Sequence, residues 1–292
     1  MFIIKYKKIF YIITVLFIAG GIFTIFNRGL NWGMDFTGGT LLEAEYKDKA
    51  PDVSLLRNNI EKSGFASFRL QPIGEKGVVV RMANINEEDH QRLLVLLKIE
   101  GNDVTEKKFD SIGPVIGEEL KSKALAAIAV VVILIILFIS FVFRNVSRPV
   151  ASWKYGLVAI VALIHDILIP IGIFAYIGAE VDVLFITALL AILGYSVHDT
   201  IIIFDRIREN LKLKISNDFD ETVGISLRQT FARSINTSLT VFIVLIFLYF
   251  MGGDSTKMFS LAMLAGVIFG TYSSIFLAGP LLTTIQKLQK RR

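Results

Sequence analysis

The sequence predicts an α-helical membrane protein with six spanning helices and one α+β domain inserted between the first and second. Three observations carry this reading. Hydrophobic residues make up 53% of the 292 and charged residues only 20%, more apolar and less charged than a soluble domain of this length. Six runs are apolar enough, and near enough to the ~20 residues needed, to cross about 30 Å of hydrocarbon. Between the first two lies a segment of mixed polarity, residues 27–123, which carries strand and helix periodicities. The formal charge of +5 comes from Lys and Arg beside the apolar runs. That is a membrane-orientation pattern, not a nucleic-acid patch with interleaved aromatics.

The first apolar run covers residues 9–26. It is longer than a signal-peptide core and no Ala-x-Ala site follows it, so it is expected to remain as an anchor. The other runs are 124–143, 155–177, 183–204, 235–251 and 259–282. Lys5, Lys7 and Lys8 precede span one, and Arg144, Arg148 and Lys154 join spans two and three. Arg206, Arg208, Lys212, Lys214 and Arg228 lie between spans four and five, and Lys287, Lys290, Arg291 and Arg292 end the chain. Residues 178–182 carry no positive charge, and 252–257 only Lys257. Both termini are therefore expected in the cytoplasm and residues 27–123 outside. The expected domains are 1–26, the N-terminus and first span; 27–123; and 124–292, a five-helix bundle with a cytoplasmic tail.

Within the inserted segment, 40–46 alternates like a strand and 53–62 has helical spacing, with Leu55, Leu56 and Ile60 apolar. Strand-like runs follow at 65–72 and 77–82, separated by turn residues that include Gly74. Residues 87–99 form a second amphipathic helix that offers Leu93, Leu94, Leu96 and Leu97 to a core, and 104–112 reads as the last strand. The order strand, helix, strand, strand, helix, strand is the ferredoxin-like split βαβ pattern. Glu87, Glu88, Asp89 and His90 read as a solvated first helical turn, favoured by the helix dipole, in preference to a metal site.

With no cysteine, the chain has no disulfide, thiolate metal site or cysteine nucleophile. Its three histidines, His90, His165 and His198, form no ligand-spaced pair, so neither metal nor cofactor is expected. The chemistry lies instead in the spans, where an ionisable residue costs about 2.5–3.5 kcal/mol on insertion scales. Span three carries His165 and Asp166, with Pro170 a turn further on; Ala159, Ala162 and Asp166 share a face. Span four carries His198 and Asp199. There Thr187, Ala188, Ala191, Tyr195 and Asp199 make a small or polar stripe, and Phe185, Leu189, Val197 and Phe204 mark the apolar side. At the start of span five, Arg233, Asn236, Thr237 and Thr240 share a helical face.

Together these groups predict a buried, partly hydrated network. A carboxylate in low dielectric resists ionisation and a nearby guanidinium opposes that, so movement of Arg233 relative to Asp199 would load and unload a proton. A proton crossing the membrane releases about 2.3 kcal/mol per 100 mV, enough to bias a two-state rearrangement. The plainer alternative is a static Asp199–Arg233 ion pair that fixes helix packing. Asp205, Arg206, Arg208 and Glu209 read as interfacial snorkelling charges. Gly266 and Gly270, extended by Ala262 and Ser274, form a small-residue ridge for helix packing, inside the chain or against a partner.

Three stretches carry a family resemblance. They are Gly33-Met34-Asp35-Phe36-Thr37-Gly38-Gly39-Thr40-Leu41, Gly194-Tyr195-Ser196-Val197-His198-Asp199-Thr200 continued by Phe204-Asp205-Arg206-Ile207-Arg208-Glu209-Asn210, and Arg233-Ser234-Ile235-Asn236-Thr237-Ser238. In this order and on these membrane sides, they resemble the SecF family, the smaller subunits of the bacterial SecDF complex. The resemblance covers essentially the whole chain. It implies a transporter core like that of the resistance-nodulation-division exporters, completed by SecD. It also implies use of the proton gradient to draw unfolded preprotein from the SecYEG channel in the bacterial cytoplasmic (inner) membrane. By the same resemblance, Asp199 and Arg233 would serve the proton pathway; the polar faces of the spans place Asp166, His165, His198, Asn236 and Thr237 in the network around them. Asp35, Gly38 and Gly39 would act conformationally, the glycines permitting positive φ at the entry to the first strand. Where the family often has an asparagine before the span-four aspartate, His198 stands here, and its imidazole would alter the pH dependence of a proton step.

Two rival readings belong to other classes: a proton-coupled small-molecule exporter, and a passive scaffold for translocon subunits. The residues offer no P-loop, no Ser-His-Asp order at plausible positions and no zinc ligands, so catalytic chemistry is not expected.

Overall fold

The computed structural model describes residues 2–65, 67–99, 102–144 and 150–290. Arg148, Arg291 and Arg292, counted above among the cytoplasmic cations, lie outside the described residues. The chain divides into two compact units: Trp32–Leu125, and Met1–Asn31 together with Ala126–Arg292.

In the first unit, β1 (Gly39–Tyr46), α1 (Val53–Lys62), β2 (Arg69–Ile73), β3 (Gly77–Met82), α2 (Glu87–Leu97) and β4 (Val104–Ile112) follow one another. The sheet order is β2-β3-β1-β4 with every neighbour antiparallel, the order of a split βαβ arrangement. Alternation decides which faces are buried. Leu42, Ala44 and Tyr46 of β1 and Val78, Val80 and Met82 of β3 point inward, onto Leu56 and Ile60 of α1 and Leu93 and Leu97 of α2.

Both helices start on side-chain caps: Asp52 accepts from the Ser54 amide at 2.8 Å, and Asn86 from the Asp89 amide at 2.8 Å. Tyr46 is buried to its hydroxyl, which donates to the Leu97 carbonyl at 2.9 Å and so satisfies the end of α2. Three expectations need correcting here. The strand expected at 65–72 begins only at Arg69, because Gly64 and Ser67 both adopt positive φ (89° and 56°) and turn the chain first. Leu55 is exposed, so α1 buries only Leu56 and Ile60 of its apolar trio. His90 is not solvated. Its Nε2 lies 2.9 Å from Glu106 and its Nδ1 3.2 Å from Glu87, and its ring stacks on Phe109 at 3.6 Å.

The second unit is helical. Among the described residues, six helices of the chain are long and apolar enough to cross a membrane: Lys7–Arg28, Pro114–Val142, Trp153–Ile177, Val183–Lys212, Phe219–Met251 and Thr256–Gln289. Several outrun their apolar cores, since hydropathy marks only the part that lipid would surround. Span two starts at Pro114, a residue suited to the first helical position. Spans four and five, of 30 and 33 residues, reach about 45 and 50 Å, well beyond a hydrocarbon layer of about 30 Å. Their extra turns pack on each other through Ile207, Val223 and Leu227, and the Asn210 amide donates to Ser226 at 2.8 Å.

Spans three, four and six supply most of the interior. Span one lies against span three, where Thr24 donates to the Gly172 carbonyl at 3.0 Å and Arg28 to the Tyr176 carbonyl at 2.7 Å. Phe143, Tyr155 and Phe204 lock spans two, three and four together in a cluster of stacked and edge-on rings. Span six is not uniformly α-helical: Ser273–Ala278 winds as a π-helix. Pro280, just beyond it, has no N–H to return to the Phe276 carbonyl, which relaxes the α-helical ladder at this point.

Candidate functional site

Small and hydroxylic residues on spans four, five and six let four helices approach around two carboxylates. Asp166 is wholly buried. Its Oδ1 lies 2.8 Å from His165 Nδ1, and its Oδ2 accepts hydrogen bonds from Ser196 of span four and, at 2.8 Å, from Ser273 of span six. His165, also wholly buried, stacks on Tyr272, and its Nε2 has no partner among the described residues. Asp199 is the second acid. Its Oδ1 accepts from Ser234 of span five at 2.5 Å, while its buried Oδ2 completes no hydrogen bond among the described residues. Hydroxyl pairs knit the surroundings: Thr200 with Ser274 at 2.9 Å, Tyr195 with Ser238 at 2.8 Å, and Ser238 with Thr271 at 2.5 Å.

The expected network is thereby split in two. Asp166, His165 and Asp199 are interior, whereas His198, Arg233, Asn236 and Thr237 are exposed on the outside of the isolated chain. The group that bonds Asp199 is Ser234, not Arg233. A helix turns about 100° per residue, so seating Ser234 on Asp199 swings its predecessor outward. Arg233 and His198 remain close enough to act on Asp199 electrostatically. Thr187, Ala191 and Gly194 continue the exposed face along span four, leaving a polar strip where lipid alone would be a poor solvent.

Five hydroxyls at the site, those of Ser196, Thr200, Ser234, Ser273 and Ser274, were not singled out as polar partners by sequence reasoning. In a membrane helix a serine also serves as a small packing residue, and spacing does not separate the two uses. Gly266 and Gly270 are buried inside the chain. A Cβ at Gly266 would run into the Ile192 side chain, and one at Gly270 would lie 3.3 Å from Ser196 Cβ and 3.8 Å from Asp166 Oδ2. The ridge thus packs span six on span four next to Asp166.

At the polar end of spans four and five, a cleft of about 440 Å³ is lined by Asp205, Arg206, Glu209, Gln229 and Arg233 among others. The charges read as snorkelling groups are paired there: Arg206 with Glu209 at 2.6 Å, and Arg208 with Asp205.

The glycine motif belongs to the Trp32–Leu125 unit. Asp35 sits in the first turn of a short helix, Met34–Thr37, and Gly38 caps it at φ 72°, ψ 168°. A Cβ on Gly38 would stand 2.7 Å from Pro114 Cα, and one on Gly117 would stand 2.8 Å from the Gly38 nitrogen. Gly39, at φ 136°, leaves no room either, with the Met82 carbonyl oxygen 2.9 Å from its notional Cβ. The motif is a close backbone contact with the start of the helix Pro114–Val142, and Gly117 is its unforeseen partner. Among the described residues, no group of three His, Asp or Glu side chains is arranged to hold a metal ion.

A six-helix membrane bundle with carboxylates enclosed by hydroxyls has the character of a transport protein, where such groups mark ion or substrate routes. Comparison with known proteins makes this specific. Residues 94–288 match the family described as protein export membrane protein SecD/SecF, C-terminal, and residues 23–50 match the SecD/SecF GG motif. The chain belongs to this SecD/SecF export family. Protein translocase subunit SecF of Thermobaculum terrenum is 39% identical over 97% of this chain and 93% of its own length. That of Haemophilus influenzae is 34% identical over 94% and 82%. The crystal structure of SecDF, a translocon-associated membrane protein from Thermus thermophilus, superposes with a TM-score of 0.83 at 32% identity, covering 99% of this chain. A super-membrane-facing form of SecDF gives 0.68 at 31% identity. The chain spans 38% of the length of each of these solved chains.

Proposed function

We propose that this chain is the SecF-type half of a proton-driven complex that assists preprotein export through SecYEG and release on the outer side. SecD is its partner and completes the transmembrane pathway. The observation that carries this reading is the exposed strip of Arg233, His198, Asn236 and Thr237 beside buried Asp199. An ionisable strip at membrane depth calls for a protein neighbour, and a neighbour there would sit within reach of the acid. The structural likeness to SecDF, a chain more than twice as long, supports a companion half as that neighbour.

In this reading Asp199 exchanges the proton and Arg233 sets its charge environment. Asp166 and His165 form an inner store, and His198, Asn236 and Thr237 line the shared face with SecD. Asp35, Gly38 and Gly39 hold the entry to the ferredoxin-like domain, which lies outside the bacterial cytoplasmic membrane while both termini lie inside. The chain needs no cofactor and performs no catalysis; unfolded preprotein is the cargo, and lipid surrounds spans one and two. The test is preprotein export by the assembled complex in vesicles, with and without an uncoupler. Asp199→Asn and Arg233→Leu should assemble normally yet abolish the gradient-dependent part of export. If both variants retain full uncoupler sensitivity, proton coupling through this site is refuted and a scaffold role remains.

A further inference from the structure

The two buried acids are not independent, and span six is what joins them. Ser273 and Ser274 are consecutive residues at the start of the π-helical turn, and both are wholly buried. Ser273 donates to Asp166 Oδ2 at 2.8 Å. Ser274 bonds Thr200, the neighbour of Asp199, at 2.9 Å, and donates to the Ser196 carbonyl at 3.4 Å. It also faces the Asp199 carboxylate. Ser196 in turn donates to Asp166. Two adjacent hydroxyls on one turn therefore address two acids whose residues, 166 and 199, come from different spans.

In an α-helix, neighbouring side chains diverge by about 100° around the axis. A π-turn adds a residue and reduces that angle, and such turns are rare and concentrate at functional sites. We infer that Ser273 and Ser274 are positioning residues whose shared π-turn couples the protonation of Asp166 to that of Asp199. Ser273 donates to Asp166, and Ser274 lies beside Asp199 without completing a bond to its Oδ2, so a proton gained or lost at either acid pulls on the one turn that carries both hydroxyls. The two unpartnered atoms, His165 Nε2 and Asp199 Oδ2, mark where each acid has bonding capacity free for a change of state.

The neighbourhood contains few other titratable or charged groups. Asp166 is faced by His165 on its own span, by Ser196 of span four and by Ser273 of span six; Tyr272 reaches it only through the His165 ring. Asp199 is faced by His198 and Tyr195 on its own span, by Ser234 and Arg233 of span five, and by Ser274 of span six. The inference deepens the proton-coupling reading and rests on it for its purpose, but it is measured separately.

The experiment is pH-difference infrared spectroscopy of the complete SecD-containing complex in lipid, following the carboxyl band lost in Asp166→Asn. In the otherwise native complex, Asp199→Asn should move the Asp166 titration midpoint by about one pH unit, a tenfold change in proton affinity. Adding Ser273→Ala or Ser274→Ala should reduce that displacement to under about a third of a unit. Ser260→Ala should leave it intact, because among the described residues this equally buried serine of span six bonds the Thr256 carbonyl of its own helix and neither acid. The inference is overturned if Asp166 does not sense Asp199 in the native background. It is also overturned if the displacement survives both serine variants, or if Ser260→Ala abolishes it too. Export that keeps its uncoupler sensitivity in Asp199→Asn, alongside intact carboxyl coupling, refutes the proton-driven reading and leaves the serine coupling standing.

Discussion

Substituting Gly38 by alanine tests whether the glycine motif is a steric device. At φ 72° and ψ 168° the residue occupies a region nearly exclusive to glycine, and holding alanine there costs about 1–3 kcal/mol. The added methyl would also sit 2.7 Å from Pro114 Cα and 3.1 Å from the Ile112 carbonyl oxygen. Both neighbours are backbone, so the overlap must be relieved by moving β4 or the start of the following helix, at about a further 1–3 kcal/mol. The expected total is about 2–6 kcal/mol, a large part of the stability of a unit this size. Gly74 provides the comparison: its φ is 59°, but nothing lies within 4 Å of its notional Cβ, so Gly74→Ala should cost only about 1–2 kcal/mol. Native-state hydrogen exchange on the intact protein reads the difference in the amides of β1 and β4. Gly38→Ala should open that region at least about 30-fold more often than wild type, and Gly74→Ala much less. Equal exchange in the two variants would refute the close-contact argument, leaving only backbone conformation.

Other expectations follow from packing and titration. Tyr46→Phe removes the donor to the Leu97 carbonyl and should destabilise the Trp32–Leu125 unit by about 1–3 kcal/mol in denaturant unfolding. Burial pushes the Tyr46 phenol up to about 12 from an ordinary value of 10.0. Its neutral form is thus favoured by folding; the contribution is complete below pH 10 and is lost as pH rises towards 12. Tyr46→Phe should flatten that alkaline loss of stability, and an unchanged slope would contradict the assignment. In the bundle, Gly266→Ala should lower the thermal midpoint through collision with Ile192, and Ile192→Ala introduced with it should recover part of the loss. Strict additivity of the two would show that the contact is not the cause.

What was legible in the sequence depended on how local its signal is. The boundaries of α1, β3 and β4 coincide with the periodic runs because alternation and helical spacing are written in consecutive residues. The spans were found for the same reason, although their ends were not: the turns of spans four and five beyond the membrane are polar and carry no hydropathy signal. Periodicity also shows which residues share a face without showing which face turns inward, which is why the sequence points to Arg233 where the fold seats Ser234 on Asp199. Among its acidic neighbours His90 reads as solvated because Glu106 and Phe109, which enclose it, lie on a later strand. The hydroxyl partners of Asp166 were the least visible. They come from spans four and six, and only the tertiary fold brings Ser196 and Ser273 to one oxygen.

The excess length of span four has a mechanical meaning. From Asp199 to its end at Lys212 the helix runs about 20 Å. A rigid rod pivoting by 10° about the acid would sweep its tip through about 3 Å, and the side-by-side packing with span five would carry both ends together. Under the proposed proton coupling, an event as small as the arrival of one proton would be magnified into a displacement that a neighbour at the polar end of the bundle could feel.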